Sequence, residues 1–167
     1  MSYWENINKN DEWYTPKYVF NALDVIFDLD VAHPNINKNI TPSNKVICEN
    51  SLEKVWNGFI WMNPPFGKRN GLLPWLEKFF EHGNGIALTP DRTSAPWYHY
   101  CLNNFESLLI VNHKIKFTKP DGSKGKSPST GTTLWAIGDK GNNALMNAKN
   151  NNLGFLLNNE SKTSYNK

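Results

Sequence analysis

Gly58-Phe59-Ile60-Trp61-Met62-Asn63-Pro64-Pro65-Phe66 is the stretch on which the reading of the whole chain turns. Residues 58–62 form a continuous apolar run, the pattern of a strand covered on both faces in the middle of a sheet. Neither proline that follows can donate a ladder hydrogen bond, and each restricts the residue before it, so the strand must end in a rigid, sharply turned loop. In open α/β sheets the carboxyl ends of the strands are where ligands bind. There the loop offers the side-chain carbonyl of Asn63, the backbone carbonyl of Pro64 and the flat ring of Phe66. Two acceptors beside a stacking surface suit a planar molecule that carries an amino group.

On the amino-terminal side, Val19, Phe20, Leu23, Val25 and Ile26 have helical spacing over 17–26, with Thr15 as N-cap and Pro16 at the first helical position. Residues 27–32 alternate apolar and acidic types, a short strand. A loop containing His33-Pro34-Asn35 runs to about residue 44, a second short strand covers 45–48, and 51–55 make a turn of helix. On the carboxyl-terminal side a helix is predicted over 72–81, a buried strand over 85–89, a helix over 95–103 and a strand over 108–111. This alternation specifies the α/β class, a mainly parallel sheet flanked by helices, with 132–137 as a closing strand antiparallel to its neighbour. Beyond Gly138 the chain is dense in Asn and Lys with one apolar island over 153–157. The expected organisation is a body over 1–138 and a tail over 139–167, loosely ordered or packed on the sheet edge.

Composition narrows the function classes. A chain of 167 residues is the size of one domain, and its net charge of +3 permits contact with a polyanion without demanding it. The apolar runs are far shorter than the roughly 20 residues of a membrane span, and the polar start gives no export signal, so the expectation is a cytoplasmic protein without a membrane partner. Cys48 and Cys101 stand far apart, and His33, His82, His99 and His113 are scattered, which predicts reduced thiols and no metal. Seven Trp, nine Phe and six Tyr imply a core rich in rings. The rings in polar, Pro-rich stretches stand apart from that core.

Four segments in order, Asp11-Glu12-Trp13-Tyr14-Thr15-Pro16, Phe27-Asp28-Leu29-Asp30-Val31-Ala32, Asn63-Pro64-Pro65-Phe66 and Lys114-Ile115-Lys116-Phe117, the last followed by a Ser-Pro loop and a strand, resemble the phage-type DNA N6-adenine methyltransferases, the Dam-like phage family. The resemblance covers about residues 11–138. It implies a Rossmann-like methyltransferase fold with S-adenosylmethionine as methyl donor, and Asn63, Pro64, Pro65 and Phe66 as the catalytic loop around an adenine flipped from double-stranded DNA. It also implies that Trp13, Thr15 and Pro16 fold over the methionine end of the donor, beside Asp28, Asp30 and Ala32. A carboxylate at a strand end can pair with an ammonium group or accept from ribose hydroxyls, so the residue types agree. The sequence departs from common methyltransferase patterns twice. Asp30-Val31-Ala32-His33-Pro34 has no glycine, and in Glu49-Asn50-Ser51-Leu52 the acidic residue that relatives use for the donor's adenine is replaced near Asn50, leaving Asn50 or Glu49 for that part.

An adenine amine is a poor nucleophile because its lone pair is delocalised into the ring; accepting its hydrogens from one side favours the pyramidal, nucleophilic geometry. For DNA contact the candidates are Lys114, Lys116, Lys124 and Lys126, in a segment whose one counter-charge is Asp121, together with Lys68, Arg69 and Arg92. So short a chain leaves sequence specificity to such loops or to a second subunit, in a monomer or a homodimer. Methylation of a glutamine amide in protein or of a cytosine amine would use similar planar chemistry. A protein of this fold that binds DNA without catalysis is the alternative of a different class.

Overall fold

The computed structural model describes residues 13–66 and 71–162, so Asp11, Glu12, Lys68 and Arg69 lie outside the described residues. In chain order the elements are α1 (Lys17–Leu23), β1 (Phe27–Asp30), β2 (Ser43–Val46), a 3-10 turn (Ser51–Glu53), β3 (Ile60–Met62), α2 (Leu73–His82), β4 (Gly85–Pro90), α3 (Pro96–Asn104), β5 (Ser107–Val111), β6 (Thr132–Ile137), α4 (Asp139–Asn150) and β7 (Gly154–Asn158). Helix α1 stops three residues before the predicted end because Asp24 takes a left-handed conformation, φ 50°, and its N–H closes onto the Phe20 carbonyl. Its N-cap is Pro16, with no side-chain cap bond, so the N-cap role read for Thr15 is corrected. Strand β2 starts two residues earlier than its apolar pattern suggests, because Phe27 pairs with Ser43.

Among the described residues the strands form one seven-stranded sheet in the order β2-β1-β3-β4-β6-β5-β7. Pairs β1–β2, β1–β3 and β3–β4 are parallel, whereas β6 is antiparallel to both β4 and β5, and β7 is antiparallel to β5. This α/β sheet, parallel at one end, is compatible with a methyltransferase-like fold. The strand expected to close the sheet is antiparallel as predicted, but it sits inside the sheet, buried from Thr132 to Ala136, and β7 takes the edge.

Helices cover both faces. Against one, α1 and α4 pack with Phe27, Phe59, Trp61, Leu109 and Leu134; against the other, α2 and α3 pack with Ile60, Met62, Ala87 and Trp135. The ring-rich core expected from composition is present: Phe27 stacks on Phe59 at 4.8 Å, and Phe20 meets Trp61 edge-on at 4.9 Å. Full burial of side chains this large contributes roughly 1.5–3 kcal/mol each. Beyond Gly138 the Asn-rich composition concealed α4, whose Ala144, Leu145 and Ala148 are buried in the core. Asn147, and Asn151 at the C-cap, donate to the Leu23 and Ala22 carbonyls at the end of α1, at 3.2 and 3.0 Å, while Asn142 pairs with the side chains of Ser107 and Glu106. Among the described residues no helix is long and apolar enough to cross a membrane.

Candidate functional site

Strands β1 to β5 all run in one direction, so their carboxyl ends share one edge of the sheet, and antiparallel β6 starts from that edge. Asp30, Asn63, Arg92 and the segment joining β5 to β6 therefore reach the same edge from distant parts of the sequence. Between the ends of β1 and β3 lies a hollow of about 10 Å³. The sheet side supplies Asp30, Trp61 and Asn63; Trp13, Tyr14 and Thr15 cross over it, and Ala32, Pro34 and Thr41 close the flank.

Asp30 is 3% exposed. Its Oδ2 accepts the Thr41 hydroxyl at 2.6 Å and its Oδ1 the Ala32 N–H at 3.1 Å. Burial disfavours the charge and pushes the pKa up to about 6, although both hydrogen bonds oppose the shift. A cation or a set of hydroxyl donors brought to this carboxylate would be held strongly. Beside it, the half-buried Asn63 donates from Nδ2 to Thr15 Oγ1 at 3.3 Å. Pro64 is buried and Pro65 half-buried, which anchors the loop, while Phe66 is 41% exposed and offers its ring outward.

The strap over the hollow is fixed to the basic segment. Tyr14 and Thr118 exchange backbone hydrogen bonds of 2.9 and 2.8 Å, and Thr118 bridges in turn to Lys124. A Cβ at Gly125 would stand 2.5 Å from the Trp13 ring and 2.7 Å from the Phe117 carbonyl oxygen, so only glycine lets this hairpin close on the strap. Ile115 is fully buried in the core, and alternation about it turns Lys114 and Lys116 outward; Lys124 and Lys126 are exposed as well. Asp121 accepts both the N–H and the hydroxyl of Ser123, which hold its carboxyl below the usual range. Arg92 is exposed in an open hollow with Asp91, Thr93, Ser94 and Ala95, at the carboxyl end of β4.

Of the residues predicted for donor binding, Trp13, Thr15, Asp30 and Ala32 come together here with Asn63. Asp28 does not join them. It sits at the amino edge, where its Oδ2 accepts the Phe59 N–H at 2.7 Å and ties β1 to β3. Asn50 is exposed with φ 51° at the start of the 3-10 turn, Glu49 is exposed, and Pro16 begins α1; none lines the hollow. The sequence reading missed Tyr14, Pro34, Thr41 and Trp61. Trp61 has a legible signal, since it directly precedes the Met62-Asn63 strand end, but Thr41 lies in a featureless loop and reaches Asp30 only through the fold.

Comparison with known proteins gives a consistent result. The chain matches the family described as DNA N-6-adenine-methyltransferase (Dam) over residues 5–159. The DNA N-6-adenine-methyltransferase of Escherichia phage T1 is 27% identical over 114 residues, 60% of this chain and 44% of that protein. The chain thus spans less than half the length of that curated relative. No solved structure matches it. With the family match extending from ahead of the strap to the end of β7, the chain belongs to the DNA N-6-adenine-methyltransferase (Dam) family.

Proposed function

We propose that the protein transfers a methyl group from S-adenosylmethionine to the N6 amine of an adenine flipped out of double-stranded DNA, on a Rossmann-like methyltransferase fold. The carrying observation is that the Asn63-Pro64-Pro65-Phe66 loop leaves the central strand β3 directly beside the buried carboxylate of Asp30. The donor supplies an electrophilic methyl on a cationic sulfonium. The residues present fit such a group: Asp30 pairs with an ammonium or accepts from hydroxyls, and Trp13 and Trp61 provide aromatic walls for a cation. About 10 Å³ holds a water and not a donor. The loop carrying Pro34 and Thr41 lies outside the sheet on the open flank of the hollow, so on this reading it, and not the strap held by Thr118, gives way to the ligand.

At the substrate, Asn63 Oδ1 and the Pro64 carbonyl accept the two amine hydrogens. They favour the pyramidal nitrogen and stabilise the positive charge that develops on it as the new bond forms. Phe66 stacks on the base, worth about 1–3 kcal/mol, against the few kcal/mol needed to extract a base from a duplex. Lys114, Lys116, Lys124, Lys126 and Arg92 hold phosphates along the same edge. Incubation with methyl-labelled donor and duplex DNA, followed by digestion to nucleosides, is expected to place label in N6-methyladenine. Label in cytosine or in protein would replace adenine as the substrate.

A further inference from the structure

We propose that Thr15 is a positioning residue for catalysis: its hydroxyl holds the Asn63 amide in the orientation that presents Oδ1, and not Nδ2, to the substrate amine. This rests on the adenine-methylation reading and adds a residue to it.

An asparagine amide has two ends of nearly equal size, one accepting and one donating. An amine substrate is served by the accepting end alone, because the other sets N–H against N–H. A catalytic asparagine is therefore helped by a neighbour that engages its donating end. Thr15 Oγ1 stands 3.3 Å from Asn63 Nδ2 and accepts from it, across 48 residues of sequence, which directs Oδ1 away from the strap. The hydroxyl is in place because it does not serve the helix: Pro16 is the N-cap of α1 and no side chain caps it. Its position is also firmly set. Thr15 is 5% exposed, the preceding Tyr14 is bonded to Thr118 through both backbone groups, and Pro16 follows with φ −68°. A β-branched side chain on so restrained a backbone has little rotamer freedom left.

The test compares Thr15→Val, which keeps the shape and removes the hydroxyl, with Thr15→Ser, which keeps the hydroxyl. In single-turnover methylation at saturating donor and DNA, Thr15→Val is expected to be about 10-fold slower, the scale of one neutral hydrogen bond. With donor and DNA held saturating for each variant, Thr15→Ser should recover most of the rate, and Thr15→Val should cost nothing further in an Asn63→Ala background. In the wild-type protein, the Asn63 side-chain amide protons should show a nuclear Overhauser effect to the Thr15 methyl group, a readout that needs no folded variant. Thr15→Val at the wild-type rate overturns the proposal. So does a Thr15→Val defect that vanishes at high donor concentration, which would make Thr15 a donor ligand, and so does absence of the Overhauser effect. An active wild type with an unaffected Thr15→Val ends this proposal alone, whereas a wild type that leaves adenine unmodified ends the functional reading with it.

Discussion

Asp30 titrates near 6 in the folded protein and at 3.8 when unperturbed, so the folded state binds its proton more tightly. This contribution to stability is fully present below about pH 3.8 and is lost as pH rises through 6. Chemical denaturation at pH 5 and pH 7.5 should show wild type losing about 1 kcal/mol more than Asp30→Asn over that interval. A ligand that pairs with the carboxylate reverses the sign for binding: donor affinity should strengthen from pH 5 to 7 in wild type and stay flat in Asp30→Asn. Equal pH profiles would remove Asp30 from the donor site. At Phe66 the expectation differs, because stacking acts before and during transfer. Phe66→Ala should weaken productive DNA binding as well as turnover, and Phe66→Trp should retain much of both, as measured by DNA titration and initial rates. The place of the loop at the end of β3 was legible because a double proline after an apolar run is unusual. Asp28 and Asp30 were not separable, because two acidic residues at spacing two lie on one strand and only the structure shows that the first faces the amino edge.

Among the elements, the strap and the basic hairpin behave as one unit. Gly125→Val forces a side chain into the space of the Trp13 ring and the Phe117 carbonyl, so it should displace the strap and weaken donor binding without touching Asp30 or Asn63. Unchanged donor affinity by calorimetry in a folded Gly125→Val would mean that the strap does not shape the donor site. The lysines are tested by salt. Replacing Lys116, Lys124 and Lys126 together should flatten the dependence of DNA affinity on salt by roughly 0.9 per lost phosphate contact; an unaltered slope would return them to solvent. The lysine run was visible in the sequence. Its fold was not, because Tyr14 pairs with Thr118 from the opposite end of the chain and no local pattern encodes that bridge.

Over the whole molecule, the alternation of apolar runs with helical periods announced an α/β sheet, and the ordered motifs announced the Dam family to which the chain belongs. The sheet order was not announced, because insertion of β6 between β4 and β5 depends on long-range pairing of Thr132–Ile137. Residues beyond Gly138 read as a tail, loosely ordered or packed on the sheet edge; β7 lies on that edge, whereas α4, with Leu145 fully buried, was hidden because asparagine lowers apparent hydrophobicity. Leu145→Ala should cost about 2–5 kcal/mol in denaturant unfolding, the usual range for a core leucine; a cost near zero would detach α4 from the folding unit. This architecture places Asn63 at a strand end beside the hollow lined by Asp30, which the proposed function makes the donor site. The most direct measurement is single-turnover transfer of labelled methyl to duplex DNA by wild type and Asn63→Ala, with donor and DNA saturating. The expected result is N6-methyladenine from wild type and a rate about 100- to 1000-fold lower from the variant, with both ligands still bound. A folded Asn63→Ala that methylates adenine at the wild-type rate would contradict it and leave the loop as a strand terminator only.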